Sequence, residues 1–138
     1  MGYLLDTCVL SEGAKAIFHP SVAAWFRQTD DDLRFASVIS LGEIQYGILR
    51  LPEGRRRAAL GLWYEKELLQ LIEGRTILFG EMEAMEWALL RSIYPGCNPI
   101  DAQLAATAIA NDLTLVTRNV KDFAFEGLSL FNPWDGES

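Results

Sequence analysis

Residues 98–117 read NPIDAQLAATAIANDLTLVT. Asn98 followed by Pro99 is the signature of a helix start. The Asn side chain can accept from an unpaired backbone N–H, and Pro at the first helical position gives up only an N–H that had no partner. The helix should run to about residue 111. Ile100, Ala102, Leu104, Ala105, Ala106, Ala108 and Ile109 leave almost no polar face on it, and a helix apolar all round is a buried one. Residues 113–117 then read as a short strand. A buried helix delivering the chain into a strand is the repeating unit of an α/β sheet.

The same alternation extends outward in both directions. Residues 3–6 read as a buried strand and 7–15 as a short helix. Residues 21–28 form a helix with Val22, Trp25 and Phe26 on one side, and 33–36 a strand. Ser37 is suited to cap a helix reaching about Arg50, with Val38, Leu41, Ile44 and Ile48 as its apolar stripe. Pro52 interrupts, and one long helix is expected over 53–72, closed by Gly74. A strand at 76–79 leads to a helix at 81–93, where Met82, Met85 and Leu89 have helical spacing. The loop 94–98 holds Pro95 and Gly96. A helical turn at 120–123 and a last strand at 128–131 complete the pattern. Strands separated by helices imply a mostly parallel sheet covered on both faces. In such sheets ligands bind beyond the carboxyl ends of the strands.

The 138 residues suit one domain, spanning 1–138. Half are hydrophobic and 22% charged, a globular composition. No apolar run approaches the ~18 residues of a membrane span, and the start lacks the layout of a signal peptide, so the expectation is a cytoplasmic protein without membrane contact. Cys8 and Cys97 are too few for a disulfide framework and read as small buried hydrophobes. The formal net charge of −7 argues against a broad basic surface for phosphates. It does not argue against acids gathered around a cation.

Four acids stand where such a gathering can form. Asp6 ends the first strand, after Tyr3, Leu4 and Leu5. Glu43 lies one and a half turns into its helix, well away from the Val38–Leu41–Ile48 stripe. Asp101 sits in the first turn of the buried helix, where the macrodipole favours it. Asp122 follows the strand LTLVT by a few residues. Four converging carboxylates would repel, and at least one pKa would rise. A hard dication such as Mg²⁺ or Mn²⁺ removes the conflict, because it takes carboxylate oxygen and keeps waters. Such an ion can activate water for attack on a phosphodiester. The single histidine, His19, lies beside Pro20 in a loop, and no Ser–His–Asp set, zinc spacing or Gly-rich phosphate loop is present.

LLDTCVLSE, SVISLGEIQYG, NPIDAQLAATA, LTLVTRNVKDF and FNPW, in that order, resemble the PIN-domain ribonucleases, and within them the VapC/FitB-type toxins of bacterial toxin–antitoxin modules. The resemblance covers essentially the whole chain. It implies a five-stranded sheet in the order 3-2-1-4-5, a Mg²⁺-dependent acidic site, and cleavage of single-stranded RNA. It also implies a homodimer and inhibition by a small antitoxin, with DNA reached only through that antitoxin. By position, Asp6, Glu43 and Asp101 match the three core acids and Asp122 the later fourth. Thr7 matches a small hydroxyl near the metal, and Asn119 stands where an acid is frequent, offering a neutral contact. Cys8 stands where the family usually has Asn, an amide that would orient the site.

Two other readings stay open. One is a phosphatase with Asp6 as nucleophile, although Cys8 occupies the position where aspartyl-phosphate enzymes carry a second acid. The other is a catalytically weakened PIN-fold protein that binds a partner. Arg118 and Lys121, beside Asn119 and Asp122, are placed for phosphate. Tyr46, one turn from Glu43, could stack on a base, with core packing as its bland alternative. Glu12 reads as a solvated acid. The run Arg55–Arg56–Arg57 reads first as a solvated helix face. Leu60, Trp63, Leu68 and Leu71 suggest a surplus apolar surface at 53–72 for dimerisation or antitoxin docking.

Overall fold

The computed structural model describes residues 2–135. Five parallel strands form one sheet in the order β3-β2-β1-β4-β5. They are β1 (Tyr3–Leu5), β2 (Arg34–Ser37), β3 (Thr76–Ile77), β4 (Thr114–Val116) and β5 (Leu130–Phe131). The expected strand order is the observed one. β1 is central: Leu4 lies opposite Phe35 on one side and Leu115 on the other.

Leu4, Leu5, Leu115 and Val116 are all fully buried. Successive strand side chains point to opposite faces, so burial of neighbours requires that both faces be covered. Leu4 and Leu115 join Leu104, Ala105, Ala108 and Phe123 in one core. Leu5 and Val116 join Val9, Ile44, Ile48, Leu68 and Ile72 in the other. Each buried leucine contributes roughly 2 kcal/mol. This is why β1 and β4 read as unbroken apolar runs rather than alternating ones.

The helices are α1 (Thr7–Ser11), α2 (Pro20–Gln28), α3 (Val38–Leu49), α4 (Arg55–Trp63), α5 (Leu69–Leu71), α6 (Glu81–Ile93) and α7 (Pro99–Ala110). Ser37 caps α3 as expected, accepting from the Ile39 N–H at 3.0 Å. Asn98 caps α7, accepting from Ile100 and Asp101 at 2.9 and 3.1 Å. Ala102, Ala105, Ala106 and Ala108 are fully buried. Their short side chains let α7 lie close against the sheet, which brings its first turn to the sheet's carboxyl edge.

Four expectations need correction. The helix expected over 53–72 is interrupted by a π-helical turn, Tyr64–Leu68, between α4 and α5. Trp63 just before the turn and Leu68 at its end both pack into the second core. Leu60, Trp63, Leu68 and Leu71 all pack into that core, so 53–72 carries no apolar surplus at these positions. On α6, by contrast, the helically spaced Met82, Met85 and Leu89 are left 64%, 67% and 54% exposed, while Leu90 and Trp87 turn inward.

Glu12 is not a solvated acid. It is 2% exposed, accepts from the His19 N–H at 2.9 Å, and pairs with Lys15 at 3.0 Å, tying down the turn before α2. Those partners hold its carboxyl below its usual range despite the burial. Tyr46 is not in the core: it is 64% exposed, with the Arg50 guanidinium 5.1 Å from its ring centre. Among the described residues no helix is long and apolar enough to cross a membrane.

Candidate active site

β1 carries the chain to Asp6, whose N–H still donates to the Val116 carbonyl at 2.9 Å. The sheet's hydrogen bonding therefore fixes the Asp6 backbone although the strand has ended. The side chain is buried, at 6% exposure. Oδ1 accepts from the Thr7 N–H at 2.7 Å, which caps α1. Oδ2 accepts from the Thr117 hydroxyl at 2.7 Å and from the Cys8 thiol at 3.5 Å.

Thr7 reaches the other way. Its hydroxyl donates to Glu43 Oε1 at 2.6 Å, so one residue links the acid at the end of β1 to the acid in α3. Glu43 is half-buried. Asp101 occupies the third position of α7 and is also half-buried. Asp122 is exposed, in a 3₁₀ turn (Val120–Phe123) beyond β4, with its N–H on the Asn119 carbonyl at 2.9 Å. Asn119 donates its own N–H to the Thr117 hydroxyl at 3.0 Å.

Asp101 carries the clearest sign of convergence. Its pKa is pushed up to about 6, first by burial and then by the negative charges of Asp6, Asp122 and Glu43. Three other carboxylates, contributed by β1, α3 and the turn after β4, thus act on one. Among the described residues no three Asp, Glu, His or Cys side chains stand together as a formed cation site. The four acids share a field without meeting at a point, as like charges do. The donor set, carboxylate oxygen only, fits a hard dication and not a soft metal.

Cys8 does more than fill space. Burial, followed by the Asp6 charge, pushes its thiol up to about 11. It remains protonated near neutral pH and serves as a donor to Asp6. Thr117, fully buried, is not among the residues that the sequence singles out. The available signal was a hydroxyl closing an apolar strand at the sheet's carboxyl edge. Arg118 lies with its guanidinium 5.3 Å from the Trp134 ring centre, and Lys121 is exposed beside Asp122.

A sheet of this order with acids at its carboxyl edge defines a fold family, and residues 3–124 match it: the chain belongs to the PIN domain family. Its relatives are VapC- and FitB-type toxins. It is 30% identical to VapC ribonuclease Y4jK of Sinorhizobium fredii over 136 residues, covering 96% of this chain and 97% of the relative. It is 31% identical to toxin FitB of Neisseria gonorrhoeae over 135 residues, covering 95% and 97%. The solved structure of FitAB bound to an IR36 DNA fragment superposes with a TM-score of 0.86 at 31% identity, over 96% of this chain and 95% of that one.

Proposed function

We propose that this chain is the toxin of a type II toxin–antitoxin module, a divalent-cation-dependent endoribonuclease that cleaves single-stranded RNA. The observation that carries the reading is the match of residues 3–124 to the PIN domain, in a fold where the charges of Asp6, Asp122 and Glu43 all act on Asp101. Asp6, Glu43, Asp101 and Asp122 would hold Mg²⁺ or Mn²⁺. When bound, such an ion supplies Lewis acidity to water and to the phosphate oxygens. The protein's own part is placement. Thr7 and Thr117 hold Glu43 and Asp6, Arg118 and Lys121 offer positive charge to the strand's phosphates, and exposed Tyr46 offers a ring to a base. With water as nucleophile, the products carry 5′-phosphate and 3′-hydroxyl ends.

The relatives' complexes support a small antitoxin partner, through which DNA is engaged. The reading further holds that residues 1–138 act as one domain, as a homodimer in the cytoplasm. The test uses partner-free protein and single-stranded RNA, with Mg²⁺, with Mn²⁺ and with EDTA. Cleavage should require the ion and be lost in Asp6→Asn and Asp101→Asn. Cleavage that persists in EDTA or in both variants would refute the reading.

A further inference from the structure

The hydrogen bonds around Asp6 are unevenly divided between its two oxygens. Oδ2 accepts from Thr117 Oγ1 at 2.7 Å and from Cys8 Sγ at 3.5 Å. Among the described residues Oδ1 accepts only from the Thr7 N–H, at 2.7 Å. A carboxylate offers about four lone-pair sites, two on each oxygen. Both sites on Oδ2 are therefore engaged, and among the described residues nothing takes the second site on Oδ1. Oδ1 lies on the side of Thr7, whose hydroxyl holds Glu43.

Thr117 is itself constrained. Its hydroxyl accepts the Asn119 N–H at 3.0 Å, which occupies a lone pair and leaves its own proton directed at Asp6. Its backbone is fixed by donation to the Phe131 carbonyl at 2.9 Å, and the side chain is fully buried. It cannot turn away without stranding a buried donor, which costs roughly 1–3 kcal/mol.

Resting on the cation-binding reading above, we propose that Thr117 and Cys8 are positioning residues that clamp Oδ2 of Asp6, so that Asp6 offers a cation one oxygen, Oδ1, on the Glu43 side. Cys8 thus supplies from its thiol part of the orientation that an amide at this position would give. Neither residue touches the cation. Both act through the carboxylate, as outer hydrogen-bond partners of metal ligands commonly do.

The test is Mn²⁺ titration of the full chain by calorimetry, with RNA cleavage kinetics alongside. Thr117→Val removes the hydroxyl at nearly constant volume and should weaken Mn²⁺ binding about tenfold or more, the usual effect of losing such a partner. Thr117→Ser keeps the hydroxyl and should bind within about twofold of the original chain. Cys8→Ala removes a weak donor and should cost roughly two- to fivefold, with Cys8→Ser restoring binding. The KM for RNA should stay unchanged in Cys8→Ala, which separates positioning of Asp6 from general loss of the site. A folded Thr117→Val that binds Mn²⁺ like the original chain overturns the clamp. If Thr117→Val does not fold, unchanged affinity in Cys8→Ala overturns it instead. An original chain that binds no Mn²⁺ overturns the cation reading, and the clamp with it.

Discussion

Replacing Asp101 with asparagine should make the metal-free protein more stable while abolishing its activity. In the fold the Asp101 pKa stands at about 6, against an ordinary value of 3.8. The folded state therefore holds this proton more tightly than the unfolded state does. Well below pH 3.8 both states are protonated and the site is not penalised. As pH rises from 3.8 to 6 the unfolded chain ionises first, and the penalty on folding grows until it levels off above 6. A displacement of about two pH units is worth ~3 kcal/mol at full value. Asp101 is only half-buried, so solvent screening reduces this to about 1–2 kcal/mol. The amide removes the charge and leaves the backbone cap from Asn98 in place. For a chain of this size the gain corresponds to roughly 3–8 °C in melting temperature. The assay is thermal unfolding followed by circular dichroism in EDTA at pH 7.5 and pH 4. The variant should melt higher at pH 7.5, and its advantage should shrink towards zero at pH 4. Added Mg²⁺ should raise the melting temperature of the original chain more than that of the variant. A variant that melts at or below the original chain at pH 7.5 would show that the four acids do not share one field.

Other perturbations test separate parts of the same structure. Glu43→Gln keeps an oxygen for the Thr7 hydroxyl and should keep the fold, while Mg²⁺-dependent cleavage falls by about 10²-fold or more, the scale of losing one such electrostatic group. Asn98→Ala unsatisfies two N–H groups at the start of α7 and should lower stability by about 1 kcal/mol in denaturant melts. Arg118→Ala with Lys121→Ala should raise the KM for RNA and flatten its salt dependence by about one phosphate contact or more, with kcat little changed. Cys8, with its pKa at about 11, should react with iodoacetamide at pH 8 far more slowly in the native protein than after unfolding, as read by mass spectrometry.

The central strands were legible because burial on both faces leaves no room for polar residues: Leu4–Leu5 and Leu115–Val116 could be little else. The helix at 99–110 was legible because its start carries chemistry, Asn98 and Pro99, and that at 81–93 because Met82, Met85 and Leu89 have helical spacing. The acids stood out because each occupies a strand end or a helix position where a charge needs a reason. Other features depend on partners distant in sequence. Met82, Met85 and Leu89 have the spacing of a buried stripe, but periodicity says only that a stripe exists, not that anything covers it. Glu12 looked solvated because its burial depends on a backbone N–H seven residues away. The π-turn at Tyr64–Leu68 leaves no mark in the apolar spacing, which is that of an unbroken helix. Thr117 reads locally as the last residue of a strand, because the carboxylate its hydroxyl holds lies 111 positions earlier.

Both outer strands of the sheet, β3 and β5, are only two residues long. Each rim offers barely one rung of backbone hydrogen bonding to anything arriving from outside. Another polypeptide therefore cannot gain much by lengthening the sheet at either margin. A protein partner therefore gains more from side chains on the helical exterior, where Met82, Met85 and Leu89 stand open to water. The same brevity guards a half-apolar chain against zipping edge-to-edge into fibres.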